Sequence, residues 1–167
     1  MNSTNIFVKI ARAIIWISFG VYLLALISVT LRPSFIGGIR FKMPVKDYLA
    51  YNSNFIPFRT IMGYIKALSD GSMSITIPKM NLIGNIIMLL PLAIYLPFFF
   101  RKMRSFRADF LTILGVDFAI EILQFLFRIG SVDIDDVILN MLGVVLGYAV
   151  WKTVVFRLFT KMKIINS

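Results

Sequence analysis

A row of polar side chains interrupts an apolar stretch in the second half of the sequence. Its members follow one another at intervals of four, three and four residues: Asp117, Glu121, Gln124 and Arg128. At about 100° per residue of an α-helix, they fall within an arc of about 60°. Acidic, amide and guanidinium groups on one helix face can transfer protons, attract a cation or pair with an anionic group. The spacing therefore predicts a polar stripe on an otherwise apolar helix.

Two further apolar stretches carry matching stripes. Asp136, Asn140, Gly143 and Gly147 repeat the four-three-four spacing, and Asn81, Gly84 and Asn85 stand at i, i+3 and i+4. The two later glycines permit close approach of a neighbouring helix. We expect the three stripes to face one another and to enclose one outward-opening polar pocket, formed by Asn81, Asn85, Glu121, Gln124, Arg128, Asp136 and Asn140.

The turn between the last two stretches is rich in acid. One interpretation is structural: Ser131 or Asp133 caps the following helix, and acids in its first turn complement the helix dipole. The alternative is a divalent-cation site, with Asp133, Asp135 and Asp136 as candidate ligands. Beyond this candidate cation, no cofactor is expected.

Glu121 and Arg128 can also be interpreted as a buried ion pair that locks a helix bundle together. One arginine cannot neutralise Asp117, Glu121 and Asp136 together, however. The excess of acid would favour protonated carboxyls or attract a cation.

The composition places the chain among membrane proteins. Hydrophobic residues make up 59% and charged residues 16%, and the mean hydropathy is +0.85. A soluble domain of 167 residues could not cover that much apolar surface. The net charge of +10 comes from basic residues that flank apolar runs, which indicates topology signals and contacts with anionic lipid, not nucleic-acid binding. Because His and Cys are absent, any chemistry would depend on acids, Arg, Lys, Tyr or hydroxyl groups.

The length of the apolar runs predicts an all-α polytopic fold, since a spanning helix needs about 20 residues. The four expected transmembrane helices cover about 13–31, 82–100, 110–127 and 134–159, within a single domain of residues 1–167. Basic residues cluster before the first span, between the second and third, and after the fourth. This pattern predicts that both termini are cytoplasmic.

The outer segment, 33–80, is too apolar to be a solvated loop. Phe58, Ile61, Met62, Ile65 and Leu68 recur at helical spacing. They predict an amphipathic helix from 57 to 68 in the outer membrane interface, with Pro57 in its first turn. A second, shorter helix is expected over 45–51.

The residues from Glu121 to Gly147 resemble the VanZ-like family of small bacterial membrane proteins. That family's signature combines Glu-x-x-Gln, an Arg, an Asp-rich turn and Asp-x-x-x-Asn-x-x-Gly-x-x-x-Gly. The matching residues here are Glu121, Gln124, Arg128, Asp133, Asp136, Asn140, Gly143 and Gly147. Weaker matches at 56–58 and 85–91 extend the resemblance over about 50–150. Two departures are Ala93, where a glycine often stands, and Asp117, where a small residue is expected.

The resemblance implies a multi-pass protein of the bacterial cytoplasmic membrane and cell envelope. The founding member of the family is associated with low-level resistance to teicoplanin, a lipoglycopeptide antibiotic that acts at cell-wall precursors. The implied ligand is an amphiphile with an acyl or polyprenyl tail and a polar head.

The leading functional hypothesis is binding of such an amphiphile: a membrane lipid, a lipid-linked cell-wall precursor or a lipoglycopeptide. Arg128 and Arg59 would pair with its phosphate or carboxylate. The other expected ligand-binding residues are Asn81, Asn85, Glu121, Gln124, Asp133, Asp136 and Asn140.

Three alternatives stay open. A metal-assisted enzyme acting on a phospholipid or polyprenyl phosphate would use Glu121 as general acid or base and Arg128 as phosphate clamp. Its metal ligands would be Asp133, Asp135 and Asp136. A transporter or flippase subunit would need oligomerisation, and a structural scaffold would need no ligand.

Overall fold

The long apolar runs of the sequence form helices in the computed structural model, which describes residues 3–31 and 44–161, with side chains from residue 6 onward. The helices within these ranges are α1 (Ser3–Thr30), α2 (Val45–Asn52), α3 (Arg59–Ser69), α4 (Thr76–Leu89), α5 (Leu92–Phe99), α6 (Phe106–Phe127), α7 (Ile134–Val150) and α8 (Phe156–Lys161). A 3-10 turn, Arg101–Arg104, precedes α6, and a π-helical stretch, Trp151–Val155, joins α7 to α8.

Four helical stretches in the described residues are long and apolar enough to cross a membrane: Ile6–Thr30, Thr76–Phe99, Phe106–Phe127 and Ile134–Lys161. They confirm the all-α, polytopic fold and the four predicted spans. The first three begin several residues earlier than predicted, since polar residues such as Asn81 and Asp109 lie within the helices. The second span is built from α4 and α5, which meet at a turn that contains Pro91, a residue without a backbone N–H.

The fourth span lies at the centre of the bundle. Half of its most apolar stretch (50%) is buried inside the protein, against 11% for the first span. The backbone of α4 packs directly on Gly143 and Gly147 of α7. The first span is peripheral, and Tyr22 attaches it to α4 by donating its hydroxyl hydrogen to the Met88 carbonyl at 2.9 Å.

Residues 128–133 connect α6 to α7, and we call this end of the bundle the turn end. The described part of the outer segment packs there. Its strand β1 (Ser53–Asn54) forms a short parallel ladder with β2 (Val132–Asp133), with Ser53 opposite Val132 and Asn54 opposite Asp133. The ladder was not predicted, because strands of two residues carry no readable periodicity.

Both predicted helices of the outer segment are present as α2 and α3. The predicted start of the second of these helices was wrong by two residues. Pro57 lies in a turn, and α3 begins at Arg59. Met62, Ile65 and Leu68 of α3 are exposed, as an interfacial helix requires. Their insertion into a membrane stays a prediction, and residues 33–43 lie outside the described part of the chain.

The opposite end of the bundle carries the basic 3-10 turn Arg101–Arg104 and the basic residues of α8. The start of α1 lies at this end too, because α1 runs antiparallel to the second span: Tyr22 contacts Met88, whereas the earlier Ser18 contacts the later Tyr95. The two described chain ends therefore share one side, whereas the cytoplasmic location of that side stays a prediction.

Candidate functional site

Polar side chains of α4, α6 and α7 meet near the turn end. The Asn140 side-chain amide donates to Asp117 Oδ1 at 2.8 Å, and both residues are buried. One helical turn closer to the turn end lie Glu121 on α6 and Asp136 on α7, because these helices run antiparallel. Asp136 accepts a hydrogen bond from the side-chain amide of Asn85 on α4. The three predicted polar stripes therefore meet in pairwise contacts across three helices.

Gln124 connects α6 to the first span. Its side-chain amide donates to the carbonyl of Thr30 at 2.8 Å, at the last residue of α1. That carbonyl has no partner further along α1, so the bond satisfies an acceptor that a helix end leaves open. Gln124 therefore stabilises the end of α1, and its predicted contact with a ligand stays a prediction.

Arg128 ends α6 with a left-handed backbone, φ 53°. Its N–H donates to the carbonyls of Gln124 and Phe125, which is a usual way to end a helix. Two residues on, the Gly130 carbonyl accepts a hydrogen bond from the hydroxyl of Tyr48 in α2, at 2.5 Å. The turn is therefore fixed both by its own backbone and by the outer segment.

Asp133 is the N-cap of α7, which confirms the structural interpretation of this residue. Its Oδ1 accepts from the Asp135 backbone N–H at 2.9 Å and from the Asn54 side-chain amide at 2.9 Å. Its Oδ2 accepts from the Thr60 hydroxyl at 2.5 Å. One carboxylate thus caps a spanning helix and also holds the outer segment.

Asp135 binds the first turn of α3. Its Oδ1 accepts from the N–H of Phe58 at 2.5 Å, and its Oδ2 accepts from those of Thr60 at 2.8 Å and Ile61 at 3.1 Å. These groups are among the N–H donors that the start of a helix leaves without a partner in the helix itself. Phe58 reaches this geometry with a left-handed backbone, φ 65°.

The three candidate metal ligands thus have different hydrogen-bond partners. Asp133 and Asp135 hold the outer segment, and Asp136 contacts Asn85. No group of three or more His, Cys, Asp or Glu within the described ranges is arranged to hold a metal ion. Cation binding at these three residues stays a prediction, as does catalysis by Glu121, Arg128 and Asp136.

The sequence did not predict that Tyr64 of α3 lies near the acidic residues at the turn end. Burial is the largest cause that raises the pKa of its phenol, followed by the charges of Asp136 and Asp133, and the Asn81 side chain opposes the shift. The polar side of α3 therefore lies over the acidic residues at the turn end. The sequence signal was present, since Tyr64 falls off the apolar face of α3, but the sequence did not reveal what that side contacts. Arg59, at the start of α3, is exposed.

A cavity of about 580 Å³ lies between α1 and α4, open to the side of the bundle. Its walls are mostly apolar and include Leu26, Val29, Ile83, Ile87 and Met88.

The polar lining of the cavity lies toward the turn end, where α4 begins. It consists of Lys79, Asn81 and Asn85. Lys79 was not predicted, because the expected span began at 82 and left it in a loop.

Two of the predicted ligand residues, Asn81 and Asn85, therefore line the cavity. The others do not: Arg59, Glu121, Gln124, Arg128, Asp133, Asp136 and Asn140. Asn85 belongs to both regions, because its amide also contacts Asp136.

Comparison with known proteins yields two matches. Residues 19–157 match the VanZ/LLP1 family. Protein VanZ of Enterococcus faecium is 37% identical over 67 residues, which cover 40% of this chain and 41% of that protein. The alignment thus spans about two fifths of the length of this relative. No solved structure matches the chain.

Proposed function

Because this chain belongs to the VanZ/LLP1 family, we propose that it binds an amphiphile within one membrane leaflet and lowers susceptibility to lipoglycopeptide antibiotics. The observation that carries the proposal is the cavity between α1 and α4, with its apolar walls and its polar lining at one end. Such a combination matches a molecule with an apolar tail and a polar head.

The length of the cavity suits an acyl or polyprenyl tail. Its lining runs along the second span from Lys79 to Pro91. Twelve residues at about 1.5 Å each correspond to about 18 Å. Half of the hydrocarbon core of a bilayer measures about 15 Å. A tail that follows α4 would therefore extend through about one leaflet.

The polar end suits an anionic head. Lys79 supplies a positive charge for a phosphate or carboxylate, and the amides of Asn81 and Asn85 can donate and accept hydrogen bonds around it. In this proposal Lys79 takes the role that the sequence assigned to Arg59 and Arg128. A lipid, a lipid-linked cell-wall intermediate and a lipoglycopeptide share this chemistry.

A substitution that fills the cavity tests the proposal directly. Gly84 lines the cavity, and a Cβ added there meets no atom within 4 Å. G84L therefore adds a side chain to the cavity wall at a position where its Cβ has room. G115L is the matched control, since Gly115 lies on α6 outside the cavity and is equally open.

Binding is measured by native mass spectrometry of the purified chain in detergent, with phosphatidylglycerol and phosphatidylcholine as probes. We expect preferential retention of phosphatidylglycerol, at least a tenfold loss in G84L and no loss in G115L. K79Q should abolish the preference for the anionic lipid while both lipids still bind. A folded G84L that retains phosphatidylglycerol like the wild type would contradict the proposal.

The resistance part is tested by expressing the chain in a teicoplanin-susceptible bacterium. We expect a higher inhibitory concentration of teicoplanin with the wild type and G115L, but not with G84L. A glycopeptide without an acyl chain serves as the reference drug. Equal protection by G84L and the wild type would show that resistance does not depend on the cavity.

A further inference from the structure

We propose that the protein binds an anionic phospholipid in a second groove, between α1, α5 and α8, in the leaflet at the basic end of the bundle. This groove lies beside the cavity between α1 and α4 along the second span, and Pro91 lines both. The cavity has its polar lining toward the turn end, whereas the groove extends from Pro91 toward the opposite end. The second proposal therefore does not depend on the first.

The groove has the dimensions and the lining of a site for part of an acyl chain. Its volume is about 280 Å³, and its walls include Ile15, Phe98, Val155 and Phe159. Along the second span it extends from Pro91 to Phe98, seven residues or about 10 Å. Since half of the hydrocarbon core of a bilayer measures about 15 Å, the groove covers about two thirds of one leaflet.

The two hydroxyl groups in the lining already have partners in the protein. The Tyr95 hydroxyl donates to Ser18 Oγ at 3.0 Å, and the Ser18 hydroxyl donates to the carbonyl of Ile15 at 2.9 Å. Both hydroxyl hydrogens are therefore used within the protein, and the interior of the groove offers mainly apolar contacts. Such a lining favours an acyl chain over a polar head.

Lysines lie just beyond the groove at the basic end of the bundle. Phe98 and Phe159 border the groove there, with ring centroids 5.6 Å apart. Lys102 follows Phe98 by four residues, Lys161 follows Phe159 by two, and both lysines are exposed. Basic residues at the end of a pocket between spanning helices are a usual binding site for the heads of anionic lipids. The phosphate would therefore lie at the lysines and the acyl chain in the groove.

The charge of this end favours an anionic lipid over a zwitterionic one. Lys9 of α1, Arg107 of α6 and Arg157 of α8 are exposed there too. Among the residues that the structure describes, Asp109 is the one acid near this end, and it is 0% exposed. A phosphatidylglycerol head has a net negative charge, whereas a phosphatidylcholine head has none. A second copy of the chain in the same orientation would bring its own basic end close, so charge repulsion disfavours it as the occupant.

Trp16 provides a fluorescent reporter beside the groove. The chain has two Trp: Trp16, next to Ile15 in sequence, is 56% exposed, and Trp151 is 2% exposed. The variant W151F keeps Trp16 alone and is reconstituted in phosphatidylcholine vesicles. Quenching of Trp16 by phosphatidylglycerol with brominated acyl chains is compared with quenching by brominated phosphatidylcholine. We expect the relative binding constant to be at least threefold higher for phosphatidylglycerol, and equal constants would overturn the proposal.

A substitution in the groove distinguishes this site from the general lipid surface. V155F, made in the W151F chain, adds volume to the groove, because Val155 lines it. V154F is the matched control, since the neighbouring Val154 is 49% exposed and lies outside the groove. V155F should abolish the preference for phosphatidylglycerol, and V154F should keep it. An unchanged preference in a folded V155F would assign the effect to the charge of the surface alone and overturn the proposal.

A pair of charge variants tests the position of the head. K102Q K161Q, in the same chain, should lower the preference at least twofold. K46Q K66Q removes two exposed lysines from the outer segment at the turn end and should have no effect. Equal effects of the two double variants would show that the preference follows the net charge of the protein, which would contradict a site at the basic end.

Photolabelling of the wild-type chain keeps the test decisive if a variant does not fold. The probe is phosphatidylglycerol with a diazirine on its acyl chain, in phosphatidylcholine vesicles, and the labelled residues are identified by mass spectrometry. Label within 15–18, 94–98 and 155–159 that excess phosphatidylglycerol displaces supports the groove. Label confined to 79–88 and 22–29 would support the cavity between α1 and α4 alone and overturn this proposal.

Discussion

The carbonyl oxygen of Ile86 occupies the space beside Gly143 where any other residue would place its Cβ. A Cβ built on Gly143 would stand 1.9 Å from that oxygen, and one built on Gly147 would stand 2.3 Å from the carbonyl oxygen of Leu90. The backbones of α4 and α7 are therefore in direct contact. This contact also brings Asn85 of α4 to Asp136 of α7.

G143A should destabilise the protein. The blocking atom is a backbone carbonyl within a helix, which cannot rotate away as a side chain can, so we expect a loss of about 1–3 kcal/mol. Thermal unfolding in detergent measures it. G115A is the control: its Cβ meets no atom within 4 Å, and alanine favours a helix over glycine by up to about 1 kcal/mol. Equal stability of the two variants would contradict direct backbone packing.

D135A should loosen the start of α3 from the bundle. The amides of Phe58, Thr60 and Ile61 lose their common acceptor, and hydrogen bonds to a charged group contribute about 1.5–3 kcal/mol each. We expect hydrogen exchange at these amides to accelerate at least tenfold. D47A, at an exposed acid in the first turn of α2, should leave it unchanged. Unaltered exchange in D135A would show that other contacts hold α3.

At Arg128, glycine should be a better replacement than alanine. The backbone φ of Arg128, 53°, lies in the left-handed region. There, a residue with a Cβ destabilises the folded state by about 1–2 kcal/mol relative to glycine. R128G should therefore unfold at a higher temperature than R128A. The same pair at Lys66, inside α3, should show the opposite order, because glycine is the poorer helix former. If alanine is the more stable at both sites, the backbone of Arg128 is not left-handed.

Tyr64 should make the outer segment sensitive to alkaline pH. Its raised pKa means that the folded state holds the phenol proton more tightly than the unfolded state does. The resulting stability is complete below the usual phenol pKa of about 10 and is lost as the pH rises toward the higher folded value. Y64F should remove this loss, measured by thermal unfolding between about pH 8 and 11. Y51F is the control, since Tyr51 is 79% exposed. An identical loss of stability at alkaline pH in Y64F and the wild type would contradict the assignment.

Local properties of the sequence were sufficient for the helices. The length and apolarity of a run decide whether it can span a membrane, so the four spans were predictable without any tertiary information. Periodicity likewise placed α2 and α3, and the polar spacing identified the residues through which α4, α6 and α7 meet. Asp133 as an N-cap followed from its position before an apolar helix.

Two of the predicted site residues have hydrogen-bond partners far along the chain. Asp135 binds the start of α3, more than 70 residues away, and Gln124 binds the end of α1, more than 90 residues away. No local pattern distinguishes such an acceptor or donor from a ligand-binding side chain. Both residues therefore appeared in the sequence only as candidates for chemistry, and their contacts with α1 and α3 became visible only in the tertiary structure.

The sequence by itself determined the spans, their polar faces and the close-packing glycines, because these follow from hydrophobic length and from 3.6 residues per turn. Only the tertiary structure decided which partner each polar residue contacts. Periodicity gives the direction of a stripe relative to its own helix axis, but the rotation of each helix within the bundle is set by packing against its neighbours. That rotation turned Asn81 and Asn85 toward α1, opened the cavity there with Lys79 at its end, and left Asp117, Glu121 and Asn140 enclosed between α6 and α7.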